Sequence, residues 1–170
     1  GLVLLWPQGD ARVEDASAAD WQQMYDVNVL GALRVTRALL PALRAAADAV
    51  IVNMGSTAGR GVYPGGGGYA VAKHGLRALS ETLRLELNGE PIRVTEIAPG
   101  MVRTEEFALT RFGGDARKAS DVYAGVAAPL TAEDVAEAVS AAATLPAHVY
   151  CDCMGRRPLA PVSYTTVKLP

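Results

Sequence analysis

The sequence has few cysteines, no long apolar run and almost no net charge. Its two cysteines, Cys151 and Cys153, are one residue apart, so a disulfide between them would be badly strained, and they lack the further ligands that zinc requires. The longest apolar stretches, such as LVLLW at residues 2–6, are far shorter than the ~20 residues that span a bilayer. The net charge of −2 gives no electrostatic reason to expect nucleic acid or an anionic membrane as a partner. We therefore expect reduced thiols, no metal site, and a cytoplasmic protein that binds neither nucleic acid nor membrane.

The sequence also does not begin with methionine. Its first residue, Gly1, is followed directly by a hydrophobic segment. Since a domain rarely begins within its own core, we expect these residues to be the C-terminal part of something longer. Half of the 170 residues are hydrophobic and a fifth are charged, which is ordinary for a globular domain with a buried core. We predict that residues 1–170 form a single domain.

Helical and strand patterns alternate along the chain. Apolar residues recur at helical spacing in some segments, whereas others are short, nearly continuous apolar runs that are typical of buried parallel strands. The predicted helices are residues 21–47, 69–87 and 131–145, and the predicted strands are residues 49–54, 92–97 and 148–154. This order favours an α/β fold with a parallel sheet.

Two details refine the predicted helices. Pro41 lies inside the first helix and is expected to kink or restart it. Thr131 and Asp134, three residues apart, form a variant capping box that predicts the start of the third helix. Residues 104–126 are predicted to be a loop with short helical potential.

A glycine-rich stretch, GSTAGRGVYPGGGGYAVAK at residues 55–73, follows the first predicted strand. A dinucleotide fingerprint would require an acidic residue about 20 positions on, at the end of a second strand, but that position lies within a leucine-striped helix. The sequence has no G-K-[ST], so a P-loop is excluded. We conclude that the glycines provide backbone freedom and space and do not bind a phosphate.

The same stretch contains three reactive side chains at a spacing that could bring them together. Tyr69 and Lys73 are four residues apart, so they share one face of a helix. An ammonium one turn away favours the phenolate and lowers the pKa of a tyrosine, which makes it usable as a proton donor and acceptor. Ser56, at the end of the preceding strand, could donate to the substrate oxygen on which that proton arrives. Y-x-x-x-K alone is a common surface pattern, so the pair by itself leaves a purely structural role open.

Four segments together resemble the short-chain dehydrogenase/reductase family. They are NVLG at residues 28–31, IVNMGSTAG at 51–59, YAVAK at 69–73 and RVTEIAPGMVRT at 93–104. Their order and spacing match the family over nearly the whole chain. The resemblance implies the C-terminal part of a Rossmann-type, doubly wound parallel sheet.

The resemblance also implies roles for individual residues. Tyr69 would be the catalytic acid/base, and Ser56 would bind and polarise the substrate carbonyl or hydroxyl. Lys73 would hold the nicotinamide ribose and lower the pKa of Tyr69, while Asn28 would fix a kink in its helix and hold a water in a proton relay. Besides Tyr69 and Lys73, the residues implied to contact the cofactor are Pro99, Gly100, Met101, Val102 and Thr104.

Residues 99–149 are similar to bacterial NADP-dependent dehydrogenases that act on serine and other 3-hydroxy acids. This similarity implies NADP rather than NAD, a small hydroxy or oxo substrate, and a homodimer or homotetramer assembled through the two long helices. The glycine-rich turn that holds the pyrophosphate in this family is not in the sequence, so we expect residues 1–170 alone to be inactive. The alternative is a catalytically silent fragment that senses cofactor or serves in oligomerisation.

Overall fold

The computed structural model describes residues 11–104, 123 and 126–159. Its helices are α1 (Ala18–Tyr25), α2 (Gly31–Ala45), α3 (Gly67–Glu86) and α4 (Ala132–Ala143). Its strands are β1 (Ala49–Met54), β2 (Ile92–Pro99) and β3 (Cys153–Arg156). The strands form one sheet in the order β1-β2-β3, and both pairs are parallel. The predicted α/β class with a parallel sheet is therefore confirmed.

The register of the sheet brings the carboxyl ends of all three strands to one edge. Met54 is paired with Ile97, and Pro99 is paired with Arg156. Loops at that edge are where open α/β sheets build their ligand sites. The segments after β1 and β2 are therefore neighbours.

Helices cover both faces of this sheet. On one face, Leu83 and Leu87 of α3 pack against Ile92 and Val94, together with partly buried leucines of α2. On the other face, Ala138 and Ala142 of α4 pack against Ile97, Val52 and Met154. The sheet is thus wound on both sides, and residues of β2 contribute to both cores.

The helical segment before β1 differs from its prediction at two points. It begins earlier, at Ala18, because Ser17 accepts a hydrogen bond from the backbone of Asp20 and caps the first turn. The helix does not restart at Pro41, which lies inside α2. Pro41 has no N–H to donate to the carbonyl of Arg37. Both residues are exposed, so this carbonyl can face water. The restart expected at the proline is therefore wrong, whereas the alternative, a kink, stays a prediction.

The last strand also differs from its prediction. β3 starts at Cys153, whereas residues 146–149 form a turn closed by a 2.8 Å bond from the Val149 N–H to the Pro146 carbonyl.

The capping box of Thr131 and Asp134 is present as predicted. Most of the predicted loop at residues 104–126 lies outside the described residues. No helix of the described part of the chain is long and apolar enough to cross a membrane.

Candidate active site

Ser56 lies at the carboxyl edge of the sheet, two residues beyond the end of β1. It caps a short 3-10 turn, Thr57–Gly59, and its Oγ accepts a hydrogen bond of 3.1 Å from the backbone N–H of Ala58. The side chain is almost fully buried. The Ala58 bond uses a lone pair of the hydroxyl, so it orients Ser56 without consuming the hydroxyl proton.

Lys73 joins α3 directly to the end of β1. Its Nζ donates a hydrogen bond of 2.8 Å to the carbonyl of Met54 and lies 5.4 Å from the centroid of the Tyr69 ring. The ammonium and the tyrosine therefore share one face of α3, as their spacing predicts. Through Met54 the same ammonium is bonded to the end of the strand that leads to Ser56.

The ammonium of Lys73 is buried, with 1% of the residue exposed. Burial lowers the pKa of Lys73 from its ordinary 10.5 to about 8, while the nearby Glu96 carboxylate acts in the opposite direction. The protein thus holds a cation of unusually low proton affinity beside Tyr69. Such perturbed groups cluster at functional sites.

Asn28 lies in a widened helical turn, Asp26–Leu30, between α1 and α2. The backbone N–H of Gly31 donates to the carbonyl of Asp26 five residues earlier, which defines a π-helical turn. The buried Asn28 side chain donates a bond of 2.9 Å to the carbonyl of Met24. A departure from regular helix is therefore present at Asn28, whereas the kink and the water relay that the resemblance implies for this residue stay predictions.

The glycines before Tyr69 make room for α1. A Cβ on Gly68 would lie 2.7 Å from Met24 Cε and 2.9 Å from Trp21 Cδ1, and a Cβ on Gly67 would lie 2.8 Å from the Trp21 ring. Gly65 has a φ of +80°, which other residues rarely adopt. The stretch thus allows α1 to approach the first turn of α3, which carries Tyr69.

The segment after β2 runs along the same edge of the sheet as Ser56. Its backbone is fixed by hydrogen bonds from Gly100 to the Arg156 carbonyl (2.7 Å) and from Arg103 to the Leu130 carbonyl (2.7 Å). Val102 forms an isolated parallel bridge with Leu130. Pro99, Gly100, Met101, Val102 and Thr104 are therefore at the expected edge, and their contacts with a cofactor stay predictions.

An ion pair beneath Ser56 was missed by the sequence interpretation. The guanidinium of Arg60 binds both carboxylate oxygens of Glu96, at 2.8 and 2.7 Å, and Glu96 is fully buried. A charge in the middle of a continuous buried strand implies a partner of opposite charge, so Glu96 in IRVTEI was the available signal. The partner could not be chosen from the sequence, because Arg60 lies 36 residues earlier.

The cysteines are not part of this arrangement of serine, tyrosine and lysine. Both are free thiols, as predicted. Cys153 Sγ accepts a hydrogen bond of 3.1 Å from Arg60 Nη2. Within residues 11–104 and 126–159, no group of three His, Cys, Asp or Glu side chains is placed to hold a metal ion.

Comparisons with known proteins agree with this geometry. The family model for short chain dehydrogenase matches residues 4–111. An uncharacterized oxidoreductase of Mycobacterium tuberculosis is 54% identical over 146 residues, which cover 86% of this chain and 57% of the relative. An NADP-dependent 3-hydroxy acid dehydrogenase of Escherichia coli is 44% identical over 144 residues, which cover 85% of this chain and 58% of the relative.

A solved structure extends the likeness to the fold. The closed form of serine dehydrogenase complexed with NADP+ superposes with a TM-score of 0.87 at 40% identity, covering 96% of this chain and 65% of that one. This confirms the predicted C-terminal part of a Rossmann-type sheet. The chain spans little more than half the length of the curated relatives it matches.

Proposed function

Since this chain belongs to the short-chain dehydrogenase family, we propose that it carries the catalytic groups of an NADP-dependent oxidoreductase that interconverts a hydroxyl and a carbonyl. One observation carries the proposal. The buried Lys73 ammonium contacts both the Met54 carbonyl, 2.8 Å away, and the face of Tyr69. It therefore holds the turn of α3 that carries Tyr69 against the end of β1, which leads to Ser56.

The residues at this edge fit a nicotinamide cofactor. An ammonium has three N–H donors, and the Met54 carbonyl takes one of them. Lys73 would offer the others to ribose hydroxyls, while Pro99, Gly100, Met101, Val102 and Thr104 would line the nicotinamide. Bound NADP(H) supplies the hydride.

In the reducing direction, Tyr69 gives its hydroxyl proton to the substrate oxygen as the carbonyl carbon gains a hydride. Ser56 donates a hydrogen bond to the same oxygen and stabilises the negative charge that develops on it. The ammonium of Lys73 stabilises the phenolate that remains on Tyr69. Asn28 would hold a water that returns a proton to this relay.

We propose a 3-hydroxy acid or a serine-like molecule as the substrate, and NADP in preference to NAD. Support comes from the E. coli relative, named an NADP-dependent 3-hydroxy acid dehydrogenase, and from the serine dehydrogenase structure with NADP+. The helix faces of α2 and α3 would pair copies of the chain into a dimer or tetramer. A cytoplasmic location accords with the free thiols of Cys151 and Cys153.

Tyr69→Phe in the full-length protein tests the assignment. The variant should lose at least about a hundredfold in kcat, because it retains the ring but has no transferable proton. Fluorescence titration should show unchanged NADPH affinity. Tyr25→Phe, the same change at an exposed tyrosine of α1, serves as the matched control and should keep full activity. Turnover by Tyr69→Phe at the wild-type rate would contradict the role, and a wild type that binds NADPH without turnover would favour the silent, cofactor-sensing alternative.

We further propose that residues 1–170 alone do not turn over NADPH. In this fold the pyrophosphate binds at the N-terminus of a helix that follows a glycine-rich turn, and the sequence has no such fingerprint. Purified residues 1–170, mixed with NADPH and a panel of 3-oxo acids, should show no loss of absorbance from the reduced cofactor. A rate comparable to that of the full-length protein would contradict this expectation.

A further inference from the structure

We propose that Arg60 and Glu96 are positioning residues that hold Ser56 in place for the chemical step. The inference rests on the proposed function. It assigns a purpose to a part-buried ion pair, whose carboxylate packs against Gly55 before Ser56 and whose guanidinium belongs to Arg60 after it.

Glu96 provides a rigid base for the pair. It lies in β2, the central strand, opposite Asn53 of β1 and Cys153 of β3. None of its surface is exposed. Because both neighbouring strands are hydrogen-bonded to β2, the carboxylate is held by the most constrained part of the sheet.

The carboxylate contacts the chain immediately before Ser56. Gly55 lies so close that a Cβ there would overlap with Glu96 Oε1. The backbone at Gly55 therefore rests directly on the Glu96 side chain. Any displacement of this carboxylate would move the residue that precedes Ser56.

The guanidinium ties the same carboxylate to the chain four residues after Ser56. Arg60 is the residue at which the short turn Thr57–Gly59 ends, and its two terminal nitrogens bind the two oxygens of Glu96 at 2.8 and 2.7 Å. A bidentate pair restricts both distance and angle. The segment 56–60 is thus bounded on both sides by contacts with one carboxylate.

A third contact links this segment to α3. A Cβ on Gly59 would lie 2.9 Å from the carbonyl oxygen of Lys73, so the turn packs directly on the backbone of the helix that carries Tyr69. Glu96 also favours the charged form of Lys73. The ion pair therefore connects the strand, the serine segment and the lysine.

An ion pair with a fully buried carboxylate adds little stability compared with apolar residues of similar volume, whereas its bidentate geometry restricts the positions of both side chains. A misplacement of about 1 Å in an active site can lower the rate by about a hundredfold. If the ion pair positions Ser56, removing both charges together should lower kcat. If the pair only stabilises the fold, the same change should leave kcat unaffected.

The experiment uses the active, full-length protein with Arg60→Ala, Arg60→Lys, Glu96→Gln and the double variant Arg60→Met/Glu96→Met. We expect kcat to fall by about 10- to 100-fold in Arg60→Ala and Glu96→Gln, with little change in KM for NADPH. Arg60→Lys should recover part of kcat, because it restores the charge but not the bidentate geometry. Arg77→Ala, which breaks the exposed pair with Glu81 on α3, is the matched control and should leave kcat unchanged.

The double variant separates the two roles. It leaves no isolated buried charge, so its melting temperature should return toward the wild-type value while kcat stays low. Recovery of both the melting temperature and kcat in the double variant would show that the pair only stabilises the fold, and would overturn the proposal. A folded Arg60→Ala or Arg60→Lys with wild-type kcat would overturn it as well. If Arg60→Ala does not fold, the lysine and double variants decide the question. A wild type without turnover would instead count against the proposed function.

Discussion

The burial of the charged Lys73 side chain has consequences for both the site and the stability of the protein. Its ammonium is buried, bonded to Met54 and adjacent to the Tyr69 ring. The same burial that positions the ammonium also weakens its hold on a proton, so the pKa of Lys73 falls to about 8. This change makes its contribution to folding stability depend on pH.

Stability should rise between pH 8 and 10.5 because of Lys73. Below pH 8 the lysine is protonated in both states, so the folded protein bears the full cost of burying a charge. Between pH 8 and 10.5 the unfolded chain keeps a proton that the folded protein has released, and the free energy of unfolding therefore increases with pH. The full increase is roughly 3 kcal/mol.

Urea denaturation of the wild type and of Lys73→Met at several pH values measures this effect. The difference in unfolding free energy between the two proteins should shift in favour of the wild type as the pH rises through this window. A difference that stays constant from pH 7 to 10.5 would show that the pKa of Lys73 is not lowered by burial.

The spacing of Tyr69 and Lys73 could be read from the sequence because an α-helix repeats every 3.6 residues. The acceptor of the lysine, the Met54 carbonyl, could not, because it depends on how α3 packs against β1. The same limit applies to Arg60 and Glu96, whose contact depends on the path of the loop. Local spacing is encoded in the sequence, whereas pairing across elements follows from the fold.

At the scale of elements, α4 has the strongest N-terminal cap among the described helices. Thr131 Oγ1 accepts from the backbone of Asp134 at 3.2 Å, and the Asp134 carboxylate accepts from the backbone of Thr131 at 2.7 Å. The cap of α1 is a single bond of 3.4 Å from Asp20 to Ser17. The two caps therefore allow a matched comparison.

Thr131→Ala should lower the free energy of unfolding by about 1 kcal/mol, because it leaves a backbone N–H without its partner. Ser17→Ala, as the comparison, should have a smaller effect, since its hydrogen bond is longer and has no reciprocal bond. Chemical denaturation of both variants measures the difference. Equal losses would show that the reciprocal bond of Asp134 adds nothing.

The predicted elements differ in accuracy for physical reasons. β1 is found at the predicted residues, because a continuous apolar run ends at Gly55 and has no competing periodicity. The end of β2 extends to Pro99, two residues beyond the pairing with β1, so the missing N–H of the proline is not needed for that ladder. β3 is displaced because Tyr150 lies beside the sheet, where its hydroxyl accepts a hydrogen bond from the backbone of Val94 at 2.8 Å. That side-chain contact takes the place of the backbone pairing that the predicted strand would make there.

At the scale of the whole molecule, apolar side chains remain exposed on the two long helices. Val35 and Leu39 are exposed on α2 by 39% and 50%, and Val71 and Leu85 on α3 by 51% and 80%. Val35 and Leu39 are one turn apart, and Val71 and Leu85 are close to four turns apart, so each pair lies on one side of its helix. These faces accord with the proposed assembly into dimers or tetramers.

Leu39→Glu combined with Leu85→Glu should shift the protein toward the monomer, because each change places a charge in an apolar contact. Light scattering coupled to gel filtration measures the mass directly. Val13→Glu is the control, because Val13 is 77% exposed and lies outside both helices. An unchanged mass for the double variant would show that other surfaces join the copies.

The bond between Lys73 and Met54 also bears on the order of folding events. It joins residues 19 positions apart, and the strand pairing next to it joins Ala49 with Ile92 through the intervening helix. Parallel pairings of this kind close long loops and form late compared with helices. The lysine can reach its carbonyl only when α3 has packed against β1, so the arrangement around Tyr69 requires tertiary contacts in addition to the helix. A change that loosens the docking of this helix on the strand should therefore disturb the site even where every catalytic side chain is kept.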